Sequence, residues 1–545
     1  MLRFEYMPSD FHPLFLFLGE AADLAALAML LRRFAEDPQT IAVAERIPGA
    51  VSRDALVLAP ADDEFGMRDL GGRFAWKLTD WQAERIAERI ELLTPEDNKS
   101  GSEIVEIGSE GEIPVKLSRG EFTDDFLITR ADSDVRVSTH RKPKVLIAGA
   151  GVGGLVAGLS LLQRGIEVEI FEQASELREL GAGVQLSANG TSVLIALGLE
   201  QEMQAIACEP SGKEIRLFST GRTWKLFDLG ASSRAIYGAP YWMVHRGDFH
   251  RVLVDAFTAR APGRLHLGSR CTGFDQDDDG IWLHLANGER RRGDVVVGAD
   301  GVHSEIRRQI GGDTKPFFSG VAAWRGLVPM ERLPASLQRD VGTNWIGPGG
   351  HVITYPVRRG ELLNFVGIFE GESWSVESWT ERGTREACSG AFAGWNPQIH
   401  TIIASVDIPY KWALLGRNPL DRFVVGRACL LGDAAHPTLP FLAQGANMAI
   451  EDGMVLARCL EGFPPEEALQ RYQTARLTRT NAIVVKSAEN ARRFHNPALA
   501  DAEGADAYVS RDGSRTGCAS AMTGCSPTMP CVCRFDGTSF AGPPH

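Results

Sequence analysis

The sequence predicts an α/β fold in several parts, and three observations support that prediction. First, the apolar run 145–148 leads into a glycine-rich turn, a segment of helical periodicity and a second short strand, 168–171. Second, two later apolar strands, 294–298 and 430–431, each run into a turn that contains Gly and Asp. Third, residues 1–95 have helix and strand patterns of their own. Strands that alternate with helices are typical of parallel sheets.

The composition limits the class of protein. The chain has 545 residues, of which 44% are hydrophobic and 23% are charged, and its formal net charge is −13. This length suits about two to four globular domains. The composition excludes a disordered, collagen-like or coiled-coil protein. The acidic balance argues against binding to nucleic acid.

The acidity is concentrated in the first quarter of the chain. Residues 1–130 contain 14 basic and 25 acidic side chains, so −11 of the net charge lies there. We interpret 1–130 as a small α/β accessory module of unknown function, followed by a polar linker at 131–143. A regulatory domain, a partner-binding domain and a fused second protein all stay open for this module.

The apolar stretch 11–31 is too often interrupted to cross a membrane. The interrupting residues are His12, Pro13, Gly19, Glu20 and Asp23. Its spacing instead favours an amphipathic helix, whose apolar face consists of Leu24, Leu27, Ala28 and Leu31. Acidic residues also stand where a signal peptide would be basic, so we expect a cytoplasmic protein without membrane contact.

Two further local patterns support these expectations. Thr79 and Gln82 have the spacing of a capping box, and the helix that follows would turn Ile86 and Ile90 inward. Five cysteines lack any CxxC spacing, and we predict buried thiols in a reducing compartment. They are Cys208, Cys271, Cys388, Cys429 and Cys459.

The glycine-rich turn at 149–154 has the pattern of a dinucleotide site. Gly149 would form the tight turn, Gly151 would let a pyrophosphate approach the backbone, and Gly154 would allow close packing of helix on strand. Gly153 lies in the same run. Glu172, at the end of the second strand, lies 23 residues after Gly149 and is placed to accept hydrogen bonds from a ribose. The sequence therefore predicts a Rossmann-like βαβ unit.

Two further motifs follow in order along the chain. Asp300 stands in an Asp-Gly turn directly after the strand 294–298. Asp433 stands in a Gly-Asp turn after the strand 430–431, and Gly445, Ala446 and Asn447 open a helix shortly afterwards. An ionised Asp at a strand end is a good acceptor for a polyhydroxylated chain, and a helix N-terminus stabilises negative charge.

These three motifs, in this order, resemble those of the class A flavoprotein aromatic monooxygenases. The resemblance covers residues 143–510 and is to the salicylate hydroxylase and 3-hydroxybenzoate 6-hydroxylase branch. It implies a Rossmann-like FAD-binding domain interleaved with a mixed β-sheet substrate domain. It also implies an enzyme that uses FAD, NADH or NADPH, and dioxygen to hydroxylate a small aromatic substrate through a flavin hydroperoxide.

The resemblance assigns roles to individual residues. It implies that Asp433 binds the ribityl hydroxyls and that Gly445, Ala446 and Asn447 offer backbone N–H groups to the flavin ring. Arg246 matches an arginine near the flavin, and Asp300 matches a motif shared by FAD and NAD(P)H. Gly183 and Val184 match the stretch between the ribose site and the ring.

The pocket of such an enzyme needs a base for the phenol, and strand alternation suggests one. His351, Ile353 and Tyr355 alternate along the segment 350–357 and therefore share one face. The resemblance implies that a His and a Tyr at this spacing meet the phenol. We predict His351 as the general base, with Tyr355 shaping the pocket, although an ordinary buried sheet histidine is the alternative.

The substrate itself is less well defined by the sequence. Family members that act on 3-hydroxybenzoate have Gln where this chain has Pro440, which favours a salicylate-like acid. Asn364 and Phe365, on the strand after His351 and Tyr355, are expected to line the same substrate cavity. Arg325 would either hold a carboxylate or belong to a structural ion pair. Other planar heteroaromatic substrates, and a flavin-binding partner without catalysis, are the rival interpretations.

The end of the chain differs in character from the rest. Residues 511–545 contain four cysteines without apolar periodicity and without a known zinc spacing. We expect either a disordered tail or the product of a shifted reading frame. No His pair elsewhere has ligand spacing, so we predict no metal site. The oligomeric state stays open, with a homodimer as one option.

Overall fold

The computed structural model describes residues 2–514, apart from several segments. Those segments are 8–13, 53, 62–63, 72, 96–100, 106–111, 120–140, 178–181, 228–232, 235–236, 279, 312–315 and 372–380. The four tail cysteines, most of the linker and Gly181 therefore lie outside the described residues. The chain divides into two units near residue 136.

Within the described residues, the first unit contains two four-stranded sheets and three helices. Its strands are β1 (Arg3–Met7), β2 (Leu14–Leu18), β3 (Ile41–Ala42), β4 (Ala55–Pro60), β5 (Gly66–Asp69), β6 (Arg73–Leu78), β7 (Gly101–Val105) and β8 (Val115–Arg119). Its helices are α1 (Ala21–Glu36), α2 (Val43–Arg46) and α3 (Asp80–Glu91). The sheets have the strand orders β1-β2-β8-β7 and β3-β4-β6-β5.

The helix predictions for this unit are confirmed. Leu24, Leu27 and Leu31 on α1 are fully buried, as the spacing predicted. The capping box at α3 is complete, since Thr79 Oγ1 accepts from the Gln82 backbone N–H and the Gln82 side chain accepts from the Thr79 N–H. Part of the stretch 11–31 is a strand rather than a helix, because β2 pairs with both β1 and β8.

The second unit contains the remaining strands. They are β9 (Lys144–Ala148), β10 (Glu167–Phe171), β11 (Gly183–Leu186), β12 (Gly212–Leu217), β13 (Thr223–Phe227), β14 (Trp242–His245), β15 (Leu265–His266), β16 (Cys271–Asp277), β17 (Gly280–Leu285), β18 (Arg290–Gly293), β19 (Val295–Gly298), β20 (Phe317–Pro329), β21 (Val341–Gly347), β22 (Gly350–Val357), β23 (Leu362–Glu370), β24 (Glu381–Arg382), β25 (Tyr410–Gly416), β26 (Val424–Val425) and β27 (Ala428–Leu430).

The helices of the second unit lie between these strands and after them. They are α4 (Val152–Gln163), α5 (Ala188–Ala196), α6 (Glu200–Ile206), α7 (Arg246–Arg260), α8 (Glu305–Gly311), α9 (Arg385–Ala391), α10 (Pro397–Ser405), α11 (Gly445–Gly462), α12 (Pro465–Phe494) and α13 (Ala502–Ser514). No helix within the described ranges is both long enough and apolar enough to cross a membrane.

The nucleotide-type sheet has the strand order β15-β10-β9-β19-β27-β26. Strands β10, β9, β19 and β27 are parallel neighbours in this sheet. Their carboxyl ends therefore meet at one edge, where a doubly wound sheet binds its ligand. That edge carries Glu172, the glycine turn, Asp300 and Asp433 in spatial order.

The second large sheet is mixed and has the order β13-β12-β21-β22-β23-β20-β25-β24. Its strands come from chain segments that lie between strands of the nucleotide-type sheet, so the two parts interleave as expected. One face of this sheet packs on α9 and α10 through Trp324, Phe365 and Phe392. The opposite face carries His351 and Ile368, which are direct neighbours across the β22–β23 pair.

Candidate active site

The glycine turn has the geometry that each of its glycines was predicted to need. Gly149 has a φ of +103°, and a Cβ there would lie 2.4 Å from the Ala299 carbonyl oxygen. A Cβ at Gly154 would lie 2.1 Å from the Gly149 carbonyl oxygen. A Cβ at Gly151, in contrast, would meet nothing within 4 Å. The turn is therefore tightly packed at two glycines and open at the third, where a pyrophosphate could approach.

Glu172 ties the second strand to this turn. Its carboxylate accepts a hydrogen bond of 2.9 Å from the Ala150 backbone N–H and one of 2.8 Å from the Ala174 N–H. His250, on α7, contacts the Ala150 carbonyl oxygen at 2.7 Å through Nε2. These bonds fix the turn from both sides and hold the half-buried Glu172 at the sheet edge.

The two Asp motifs are joined by Arg307. Asp300 caps α8, since its carboxylate accepts hydrogen bonds from the Ser304 hydroxyl and, at 2.8 Å, from the Glu305 backbone N–H. From that helix the buried Arg307 donates to the Ala434 and Ala435 carbonyls at 2.9 and 2.8 Å. Burial lowers the pKa of Arg307 to about 10. Arg307 thus sets the position of the Gly-Asp turn.

Asp433 is the exposed residue of its turn. Gly432 before it has a φ of +58°, which favours glycine, and Ala434 after it is buried. Desolvation raises the pKa of the Asp433 carboxyl, while the charges of His436 and Arg246 lower it. An exposed Asp at a strand end suits the role that the ribityl chain requires.

Helix α11 begins at Gly445 without a side-chain cap at Gln444. The N–H groups of its first turn, at Gly445, Ala446 and Asn447, have no acceptor within the helix. The Asn447 side chain is already engaged, since it accepts from the Ser187 N–H and donates to the Ala443 and Gln185 carbonyls. It is therefore the backbone of this turn that is available to bind an electron-rich edge.

Strand β11 connects these loops to the mixed sheet. The Gly183 backbone N–H donates to Asn364 Oδ1 at 2.8 Å, and a Cβ at Gly183 would lie 2.5 Å from the Tyr355 ring. Val184, next in the strand, is half-buried and pairs with Val244. Tyr355 is buried beside Gln185, and burial raises the pKa of its hydroxyl.

The predicted face of β22 forms as the alternation implied. His351, Ile353 and Tyr355 pair across β23 with Ile368, Val366 and Asn364, and all six side chains share one face. Arg325 on β20 pairs with Val366 and joins the same face. We call this surface the substrate face. Its centre is half-open, because Ile353, Val366 and Leu327 are half-buried while the residues around them are buried.

Phe365 is the exception among the expected substrate residues. It packs against Phe392 beneath the opposite face, with ring centroids 6.4 Å apart, and it is fully buried there. Neighbouring residues on a strand point to opposite faces, so Asn364 and Phe365 cannot line one cavity. Asn364 is the member of the pair that lies on the substrate face.

Arg325 lies buried between two aromatic rings. Its guanidinium stands 5.0 Å from the centre of the Trp412 ring and 5.7 Å from that of Tyr410. At the other end of the face, Phe441 contacts the His351 ring edge-on at 5.5 Å. Pro440, the residue before Phe441, is exposed. The loop between Asp433 and α11 therefore covers one end of the substrate face.

The histidine at this end has partners that the sequence did not suggest. His351 is fully buried, and its Nδ1 lies 2.8 Å from His495 Nε2. His495 Nδ1 lies in turn 3.0 Å from Glu370 Oε1. Burial, reinforced by His495, holds the pKa of His351 well below its usual range. His351 is therefore neutral at pH 7, as a general base must be.

A buried ionic network supports the Gly-Asp turn from behind, and sequence reasoning missed it as well. Asp452 Oδ2 contacts His436 Nε2 at 2.6 Å and accepts the Gly432 N–H at 3.0 Å. Arg476 donates to Asp452 Oδ1 at 2.7 Å and pairs with Glu451 at 2.9 Å. The available sequence signal was the pair of consecutive carboxylates, Glu451 and Asp452, in the middle of α11.

Together, these features fit FAD. The open space at Gly151 suits a pyrophosphate, the exposed Asp433 suits a ribityl chain, and the free N–H groups at the start of α11 suit the ring edge. Among the described residues, no cluster of His, Cys, Asp and Glu could hold a metal ion. The fold and the site define a flavin-dependent oxidoreductase.

Comparison with known proteins gives the family. A model described as an FAD binding domain matches residues 142–487. The chain is 39% identical over 363 residues to a 3-amino-4-hydroxybenzoate 2-monooxygenase of Streptomyces platensis, covering 66% of this chain and 90% of that protein. It is 35% identical to a 3-hydroxybenzoate 6-hydroxylase of Polaromonas naphthalenivorans, covering 68% and 90%. A 6-hydroxynicotinate 3-monooxygenase of Bordetella bronchiseptica is 34% identical, covering 65% and 94%.

Solved structures agree. Klebsiella pneumoniae HpxO complexed with FAD and uric acid matches with a TM-score of 0.61 and 26% identity, over 70% of this chain and 97% of that one. A salicylate hydroxylase substrate complex matches with a TM-score of 0.56 and 27% identity, over 65% and 89%. The chain belongs to the FAD-binding class A aromatic monooxygenases. It is an FAD-dependent monooxygenase of an aromatic ring.

Proposed function

We propose that this monooxygenase hydroxylates a small aromatic carboxylic acid that already carries a ring hydroxyl. The observation that supports this proposal is the placement of His351 and Arg325 on one half-open face, with a base at one end and a buried cation at the other. The names of three relatives also denote hydroxylated ring acids: 3-amino-4-hydroxybenzoate, 3-hydroxybenzoate and 6-hydroxynicotinate.

The ring would lie on the apolar floor between these two groups. Ile353, Val366 and Leu327 offer a half-buried apolar surface that would exclude water beneath a planar substrate. Arg325, held against Trp412, would bind the carboxylate in a bidentate pair. His351 would accept the proton of the ring hydroxyl, because a phenolate is the more nucleophilic form of the ring.

The spacing of the two groups favours one kind of acid. His351 and Arg325 are separated by two strand spacings and by two residues along the strands. This places their Cα atoms about 12 Å apart. Such a separation favours an acid whose hydroxyl and carboxylate lie on opposite sides of the ring. It favours salicylate less, because the two groups of salicylate are adjacent. The salicylate hydroxylase match keeps salicylate as the second candidate.

When bound, FAD would take up hydride from NADH or NADPH and supply the activated oxygen that enters the ring. Gly151 would leave space for its pyrophosphate, Asp433 would hold the ribityl chain, and Ala446 in the first turn of α11 would face the ring edge. Phe441 would close the pocket beside His351 and exclude water from the reacting atoms.

A substrate panel tests the proposal. The FAD-loaded protein is mixed with NADH or NADPH and, separately, with 3-amino-4-hydroxybenzoate, 3-hydroxybenzoate, 6-hydroxynicotinate or salicylate. We expect one acid to accelerate oxidation of the nicotinamide and to gain one atom from isotope-labelled dioxygen. The proposal would be refuted if every acid gave hydrogen peroxide as the sole product and a planar heteroaromatic without a carboxylate were hydroxylated.

A matched pair of variants tests whether His351 is the general base. His351→Gln removes the buried base, and we expect it to lower coupled hydroxylation about 100-fold or more, within the usual contribution of a general base. His284→Gln changes a half-buried histidine on β17, in a separate three-stranded sheet, and serves as the control. The flavin spectrum should be unchanged in both variants. Equal hydroxylation by His351→Gln and the parent protein would remove His351 from the base role.

A further inference from the structure

The hydrogen bonds around His351 determine which of its nitrogens carries the proton. Glu370 is exposed at the end of β23 and, as a carboxylate, can only accept a hydrogen bond. His495 Nδ1, 3.0 Å away, must therefore be the donor, which leaves His495 Nε2 as an acceptor. His351 Nδ1 must then donate to it across 2.8 Å. His351 Nε2 is left as an unprotonated lone pair.

Among the buried polar atoms of these three side chains, His351 Nε2 is the one without a partner among the described residues. His351 Nε2 is buried and accepts no hydrogen bond from any described residue. A buried acceptor that stays unsatisfied destabilises the folded protein, so it is normally retained for a purpose. The half-open part of the substrate face, at Ile353 and Val366, adjoins His351 on the same side of the sheet.

We propose that His495 and Glu370 form a proton relay that carries the substrate's hydroxyl proton from His351 to solvent. The inference rests on the proposed function and deepens it. The substrate O–H bond breaks as its proton passes to His351 Nε2. The Nδ1 proton of His351 moves to His495 Nε2, and the Nδ1 proton of His495 moves to Glu370. Both histidines end neutral with their tautomers exchanged, and Glu370 releases the proton to water.

The residues around the relay leave one route by which the proton can reach solvent. Phe441 and Phe494 pack on the His351 ring at 5.5 and 4.9 Å, so water has no direct route to it from these sides. Among the described residues, His495 is the titratable group in contact with His351, and Glu370 is the one in contact with His495 beyond it. The Glu370 side chain is 59% exposed, whereas that of His495 is 2% exposed. The proton thus crosses a buried histidine pair to reach solvent.

Proton release on substrate binding tests the relay without turnover. The oxidised, FAD-loaded protein is mixed in a stopped-flow instrument with 3-amino-4-hydroxybenzoate in weakly buffered phenol red at pH 7.5. The flavin absorbance reports binding and the dye reports release of the proton. In the parent protein, we expect both signals to change together.

Four variants separate the relay from a structural role. Glu370→Gln keeps a hydrogen-bond acceptor for His495 but cannot take up a proton, and His495→Gln interrupts the path. We expect substrate affinity within about threefold of the parent and proton release slower by about tenfold or more in both variants. Glu361→Gln, an exposed carboxylate just before the same strand, should match the parent. Added imidazole should restore release in His495→Gly.

Each of the other outcomes would refute a different part of the proposal. Release at the parental rate in Glu370→Gln and His495→Gln, with release lost in His351→Gln, would overturn the relay and keep the base. Binding without release in the parent protein would overturn both. Failure of every acid in the panel to perturb the flavin spectrum or to be hydroxylated would instead refute the proposed function, which the relay requires.

Discussion

The Gly183 backbone N–H donates a hydrogen bond of 2.8 Å to Asn364 Oδ1, although 181 residues separate the two along the chain. Gly183 belongs to the strand assigned to the flavin, and Asn364 belongs to the sheet that carries the substrate face. The bond therefore fixes the flavin loops relative to His351 and Arg325. Because a Cβ at Gly183 would overlap Tyr355, the strand can approach this closely only as glycine.

Asn364→Ala should loosen this connection. The half-buried Gly183 N–H would lose its acceptor, which costs about 0.5–1.5 kcal/mol of unfolding free energy. We also expect a smaller share of NADH oxidation to yield hydroxylated product, because the substrate is held less firmly. Denaturant unfolding and product yield per NADH measure the two effects. Asn287→Ala, which removes a similar side-chain acceptor from an exposed turn, should change neither. Full coupling in Asn364→Ala would contradict this account.

Two substitutions in the glycine turn should affect protein stability and FAD binding separately. Gly151 has a φ of −71° and open space around its Cβ position, so Gly151→Ala should leave the unfolding midpoint of the apoprotein unchanged and weaken FAD binding. Gly154→Ala should lower that midpoint, because its Cβ would overlap the Gly149 carbonyl. Thermal unfolding of apoprotein and FAD titration distinguish the two. Equal FAD affinity in Gly151→Ala and the parent would argue against a pyrophosphate there.

Much of this site was predictable from local patterns. Parallel strands end at a common edge, so the motifs at Gly149, Asp300 and Asp433 were bound to meet once each was placed after a strand. The alternation of His351 and Tyr355 on β22 was likewise sufficient to assign them to one face. In each case, the information lies within about ten residues of sequence.

The remainder depends on pairings that no local pattern carries. His495 contacts His351 across 144 residues, at the end of a 30-residue helix whose docking on the sheet decides the contact. Phe365 departs from its expectation for a different reason, because the pairing of β23 with β22 decides which side chains of β23 share a face with Tyr355. Once Tyr355 and Asn364 are neighbours, Phe365 must point to the other side.

Arg325 should decide the preference for acids. Arg325→Met keeps the contact with Trp412 but removes the charge, so we expect the KM for the carboxylic acid to rise about tenfold to a hundredfold, as for loss of a buried charged hydrogen bond. The matched aromatic amide should be affected much less, and FAD affinity should not change. Arg332→Met, an exposed arginine paired with Asp407, is the control. An equal effect on acid and amide would show that Arg325 is structural.

The buried histidine pair should make stability depend on pH. Burial lowers the pKa of both His351 and His495 in the folded protein. The folded state therefore resists a proton that the unfolded chain binds with a pKa near 6.5. The stability linked to these groups is fully present above pH 6.5 and is lost as the pH falls toward the folded pKa values. The slope is at most about 1.4 kcal/mol per pH unit for each histidine.

Replacing one histidine should flatten this dependence. His351→Asn leaves no group to protonate at that position, so its unfolding free energy should fall less than that of the parent protein between pH 7.5 and 5.5. The exposed His303→Asn should retain the parental slope. Denaturant unfolding of apoprotein at both pH values measures the two slopes. Their difference removes the contributions of titrating groups that do not contact His351. A slope in His351→Asn equal to that of the parent would mean that His351 is protonated in the folded protein at pH 5.5, and its role as a neutral base would then be restricted to higher pH.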